Sequence, residues 1–191
     1  MKRVVGGRRP RKTFLIVCEG AKTEKLYFDA FKLTSVQVEG TGKNTLSVVE
    51  EAIRLREGYD EVWCVFDRDS FPAQNFNAAI EKASQAGLRV AYSNEAFEIW
   101  YLLHFDFHTS ALSRTLYAEK LSERLGRAYK KNDPTIFEAL RPLQAQAMTY
   151  ARKLLASYPK HNPEQDNPCT TVHLLVEELS KLAQSVKLQG V

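Results

Sequence analysis

The sequence is poor in cysteine. Its three, Cys18, Cys64 and Cys169, form no C-x-x-C pair and leave an odd thiol over. That argues against a disulfide framework or a cysteine zinc site and fits a reducing compartment. Long apolar runs are also missing. None approaches the ~20 residues that span a bilayer, and the first residues lack the apolar core of a secretory signal. A cytoplasmic protein with no membrane contact is the expectation. There is no internal repeat and no low-complexity tract. No phosphate-binding P-loop, G-x-S-x-G elbow or H-E-x-x-H pair occurs, so nothing points to a P-loop NTPase, a serine hydrolase or a zinc protease.

What is present suits one α/β unit. The chain has 191 residues, 44% of them hydrophobic and 26% charged, enough for a sizeable core. The net charge of +4 is unevenly placed. Residues 1–12 carry Lys2, Arg3, Arg8, Arg9, Arg11 and Lys12 and no acid, while the body beyond them is slightly acidic. Such an arm can hold nucleic-acid phosphates, with Arg8, Arg9, Arg11 and Lys12 as its contacts. It can equally be a solvated terminus.

Strand-like and helix-like segments alternate. Residues 13–18 (TFLIVC) form a short continuous apolar run, as a strand buried on both faces does. Glu19-Gly20 ends it, and apolar residues at helical spacing follow over 23–33. A short strand is expected at 36–38. A helix capped by Asn44 should follow and stop near Gly58. Residues 61–66 (EVWCVF) predict a second strong strand, 76–86 a helix ended by Gly87, 88–92 another strand, and 96–105 an apolar helix. This βα alternation predicts a mostly parallel sheet flanked by helices. Beyond about residue 110 strand signals cease, and helices are expected over 112–125, 135–157 and 170–182. The expected organisation is a basic arm (1–12), an α/β domain (13–110) and a helical extension packed on the same domain (111–191).

Three acids fall where such sheets bind ligands, just beyond the carboxyl ends of strands. Glu19 ends the first strand, and Asp67 and Asp69 end the one beginning near Glu61. Two residues apart, Asp67 and Asp69 share a face of an extended segment. Convergent carboxylates repel unless a cation neutralises them, and an all-oxygen set favours Mg²⁺ or Mn²⁺. Acids also close strands as plain turn residues. Glu98 is the lone acid within AFEIWYLLHF, where an unpaired charge is costly. It either assists the site or merely favours a helix N-terminus. Lys22, in the loop after Glu19, could contact a phosphate or remain solvated. His104 and His108 would share a helix face but lack the rest of a zinc motif. Trp63, Trp100 and Tyr101 read as core.

A strand ending in Glu-Gly followed by a strand ending in D-x-D resembles the Toprim domain of topoisomerases, bacterial primases and nucleases of the overcoming-lysogenization-defect class. More closely, the whole chain resembles the RloB-like family, named for genes beside restriction systems. The matching stretches are LIVCEGAKTEKLYF (15–28), VWCVFDRDSFP (62–72), AYSNEAFEIWYLLHF (91–105) and NPCTTVHLLVEEL (167–179). The resemblance implies a Toprim/Rossmann-like α/β fold, with Glu19 as metal ligand or general acid/base and Asp67 and Asp69 as the metal-binding pair. Related nucleases carry a further acid after the first glutamate. Glu24 falls one residue beyond their usual spacing, so its role stays open.

The implied function is a metal-dependent nuclease in bacterial anti-phage defence, such as abortive infection. Glu19, Asp67, Asp69 and Glu98 would be catalytic, and Mg²⁺ or Mn²⁺ the cofactor. The partner would be DNA or RNA, with tRNA one option. The alternatives are a non-catalytic nucleic-acid or nucleotide-binding module, or a subunit of a restriction or defence complex. A topoisomerase would need a nucleophilic tyrosine on a separate strand-passage domain that 191 residues do not accommodate, and a primase a template-binding module for which the sequence gives no signal.

Overall fold

The computed structural model describes residues 11–68 and 73–189. Four strands run parallel: β1 (Phe14–Cys18), β2 (Val36–Gly40), β3 (Glu61–Asp67) and β4 (Arg89–Asn94). A two-residue strand, β5 (Cys169–Thr170), pairs antiparallel with the end of β4. The sheet order is β2-β1-β3-β4-β5, a mixed α/β architecture as the βα alternation predicts.

The strands alternate between two cores. From β1 and β3, Phe14, Ile16, Cys18, Trp63 and Val65 enter one, while Leu15, Val17, Cys64 and Phe66 enter the other. Burial on both faces is why these strands read as continuous apolar runs. Helices α1 (Thr23–Asp29) and α4 (Glu98–Leu102) cover the first face. So do α5 (Arg114–Leu125), α6 (Ile136–Leu140), α7 (Gln144–Ala156) and α8 (Val172–Gln189). Helices α2 (Thr45–Leu55) and α3 (Ala73–Gln85) cover the second. Asn44 caps α2, its side chain accepting from the Ser47 N–H. Gly58 and Gly87 follow α2 and α3 in left-handed conformation.

The order has a physical consequence. β1 leads through α1 outward to β2, whereas β3 leads through α3 in the opposite direction to β4, on the other face. The connections diverge between β1 and β3, which opens a crevice at their carboxyl ends. Glu19 and Asp67 stand on its two sides.

Three expectations change. The helix expected over 135–157 is broken: α6 ends at Leu140, a 3₁₀ turn spans Arg141–Leu143, and α7 starts at Gln144. Pro142 lacks the N–H and clashes with the preceding turn. The strand signal does not end at 110, because β5 lies far beyond it. A two-residue pairing shows no periodicity to read. The apolar helix over 96–105 is only Glu98–Leu102, so His104 and His108 share no helix face. His104 is fully buried, with Nδ1 bonded to the Trp100 carbonyl at 2.9 Å.

Candidate functional site

The site begins where β1 ends. The Glu19 N–H donates to the Val65 carbonyl at 2.8 Å, continuing the pairing of β1 with β3 for one more residue. The side chain then turns back over β3, and Glu19 Oε2 accepts the Asp67 N–H at 3.0 Å. This bond fixes the two acids against each other across the crevice. By alternation, Asp67 points to the same face as Trp63 and Val65, the face that α1 and α4 cover. Helix α1 brings Glu24 there and α4 brings Glu98, 6% and 5% exposed. Both acids lie in the first turn of their helices.

Two glycines make room. A Cβ on Gly20 would stand 1.7 Å from Glu24 Oε2, and one on Gly40 would stand 2.7 Å from the Ala21 carbonyl oxygen. The loop after Glu19 is thus pressed between the end of β2 and the Glu24 carboxylate.

Three carboxylates, Glu24, Asp67 and Glu98, line one cleft of about 290 Å³ together with Lys22, Lys131 and Asn132, and Glu19 stands beside it, bonded to the Asp67 N–H. Their hydrogen bonds are unequal. Asp67 Oδ2 accepts the Phe97 N–H at 3.0 Å, and Glu98 Oε1 accepts the Tyr129 hydroxyl at 3.2 Å. The Lys131 ammonium stands 3.9 Å from Glu98 Oε1. Asp67 Oδ1 and Glu24 Oε2 are shielded from solvent and, among the described residues, have no partner. Buried polar atoms are rarely left so.

Burial and mutual repulsion act together on proton affinity. Burial first, then the Glu24, Glu98 and Glu19 charges, raise the Asp67 carboxyl well above its usual range. Glu24 is also raised, first by burial and then by Glu98. Burial pushes Glu19 up to about 7, against the Asp67 N–H bond that lowers it. Without a counter-charge the cluster binds protons that carboxylates release in water.

A divalent cation relieves the same strain. Among the described residues, no group of three or more His, Cys, Asp or Glu side chains is set to hold a metal ion by itself. Mg²⁺ needs less: it takes one or two carboxylates, keeps several waters and draws further oxygens from a substrate phosphate. Asp67 Oδ1 and Glu24 Oε2, buried and without partners among the described residues, are the oxygens here that could turn to such an ion.

Asp69, Arg8 and Arg9 lie outside the described residues. Arg11 is exposed. Lys12 pairs with Glu61, where β3 begins. That is the opposite end of the parallel sheet from Glu19 and Asp67. Lys22 lines the cleft. Sequence reading left Glu24 open and did not find Tyr129, Lys131 and Asn132. They come from the loop between α5 and α6, more than a hundred residues after Glu19, and nothing local marks them. The Thr23 hydroxyl donates to Asn132 Oδ1 at 2.9 Å and anchors that loop to α1.

The fold and cleft define a mixed α/β protein with an acidic site at the switch point of a parallel sheet. The model of the RloB-like protein family matches residues 14–179, and the chain belongs to that family. No curated protein and no solved structure matches it. Among the described residues no helix is long and apolar enough to cross a membrane.

Proposed function

We propose that the chain is a metal-dependent phosphodiesterase, a nuclease of Toprim type, with its site in the cleft between β1 and β3. One observation carries the reading. Asp67 Oδ1 and Glu24 Oε2 are buried and, among the described residues, without partners, among carboxylates that raise one another's proton affinity, at the place where α/β sheets bind ligands. Asp67 and Glu24 would hold Mg²⁺ or Mn²⁺, with Glu19 beside them and Asp69 as the further ligand of the D-x-D pair. When bound, the cation supplies charge stabilisation to the phosphate under attack.

The chain's own residues do the rest. Glu19, with a proton affinity near neutrality, suits removal of a proton from attacking water. The Asp67 N–H orients its carboxylate for that task. Glu98 is held by Tyr129 and Lys131 and keeps the cleft's back wall polar. Phe97, buried beside it, limits water. Membership of the RloB-like family supports a setting beside restriction systems, and so a role in anti-phage defence.

The test is cleavage of duplex DNA, single-stranded DNA, single-stranded RNA and tRNA in Mg²⁺, Mn²⁺ or EDTA, with wild type beside Asp67→Asn. The reading predicts cleavage that needs metal and falls at least ~100-fold in the variant. Nucleic-acid binding without cleavage in any metal would sink it in favour of a binding module.

A further inference from the structure

The acids lie too deep for a paired strand. Glu24 and Glu98 are almost wholly buried, Asp67 Oδ1 is shielded, and the cleft above them holds only about 290 Å³. That is the lower end of the size of a small-molecule pocket. It takes about one nucleotide unit. A phosphate within a duplex is carried on a broad surface with its neighbours and the opposite strand, and cannot descend without leaving the helix. The α5–α6 loop narrows the entrance further. The Thr23–Asn132 bond ties it to α1, and the Tyr129–Glu98 bond ties it to α4.

The same loop supplies the charge an incoming phosphate needs. Lys131 is 62% exposed, and at 3.9 Å its contact with Glu98 is an ion pair but too long for a hydrogen bond. Its ammonium can turn to a phosphate without breaking a bond that holds the fold. Lys22 lies on the rim of the same cleft.

We propose that the substrate of this cleft is an unpaired strand or strand end, entering beside the Tyr129–Asn132 loop with its phosphodiester against Lys131. The inference rests on reading the cleft as a phosphodiester site, and it names the substrate class and a residue that touches it.

Binding tests it apart from catalysis. Fluorescence anisotropy would follow labelled 12-nucleotide DNA and RNA strands, with relaxed, covalently closed circular duplex DNA as competitor at equal nucleotide concentration, in Mg²⁺ and in EDTA. Wild type, Lys131→Ala and Lys131→Arg would be compared. Mg²⁺ should tighten binding of the unpaired strands, and they should bind at least about ten-fold tighter than the closed duplex. Lys131→Ala should weaken them about ten-fold, the range of one charge-assisted hydrogen bond, with the duplex unchanged, and Lys131→Arg should recover most of the loss. The DNA and RNA arms identify which unpaired strand is preferred. Equal binding of closed duplex and unpaired strand would overturn the inference, as would unchanged binding by Lys131→Ala. Preference for unpaired strands without cleavage in any metal would uphold it and sink the nuclease reading. No binding of any nucleic acid would overturn both.

Discussion

Replacing Asp67 with asparagine removes a charge from the most crowded point of the cleft and keeps its shape. The metal-free variant should melt above wild type at pH 8, by about 2–4 °C for each kcal/mol of repulsion relieved. The sign follows from linkage. A carboxyl whose proton affinity is raised by folding favours the folded state at low pH, and that advantage is lost as pH rises through the folded value. The gap between variant and wild type should therefore narrow as pH falls and close only below about pH 4, where the carboxyl is protonated in the unfolded chain as well. A variant less stable than wild type at pH 8 would contradict the crowding. Gly20→Ala acts differently. Its Cβ collides with Glu24 Oε2, the free end of a side chain that can swing away. Stability should change by less than about 1 kcal/mol, while Mg²⁺ affinity falls about ten-fold. Calorimetric metal titration beside a thermal melt separates the two effects.

At the scale of elements, the strongest signals were the strands buried on both faces. β1 and β3 were legible as apolar runs, and the acids that end them were legible with them. So were the Asn44 cap and the glycines after α2 and α3, because each meets a local backbone need. Asn44→Ala should cost about 1 kcal/mol, seen as a small fall in melting temperature with the site intact. What the sequence did not reveal depends on contacts distant along the chain. β5 forms only because Ser93 and Asn94 offer Thr170 and Cys169 an edge to pair with, and Tyr92 accepts the Thr170 hydroxyl at 3.1 Å. Glu98 looked like an acid stranded in an apolar helix. Its partners Tyr129 and Lys131 arrive from the α5–α6 loop, which reads locally as an ordinary polar turn. Glu24 was ambiguous by spacing alone, since whether it meets Asp67 depends on how α1 lies against the sheet.

At the scale of the molecule, strand order turns two distant acids into one site. Because β1 and β3 are neighbours whose connections run opposite ways, Glu19 and Asp67 flank a crevice that α1 and α4 supply with two more carboxylates. The resulting charge should be felt by the whole fold. Between about pH 4.5 and 7, Glu19 alone lets the folded chain bind more protons than the unfolded one, so metal-free stability should fall as pH rises across that window. Mg²⁺ should reverse the loss, most at pH 8, where it meets ionised carboxylates. At a hundred times its dissociation constant it adds about 2.7 kcal/mol. A melting temperature indifferent to both pH and Mg²⁺ would speak against a coupled carboxylate site. The most direct measurement is Mn²⁺ binding followed by electron paramagnetic resonance, with wild type, Asp67→Asn and Glu24→Gln in parallel. A cation held by these acids predicts saturable binding by wild type at pH 8 and at least ten-fold weaker binding by each variant. No saturable binding at millimolar Mn²⁺, or the same affinity in all three proteins, would contradict it.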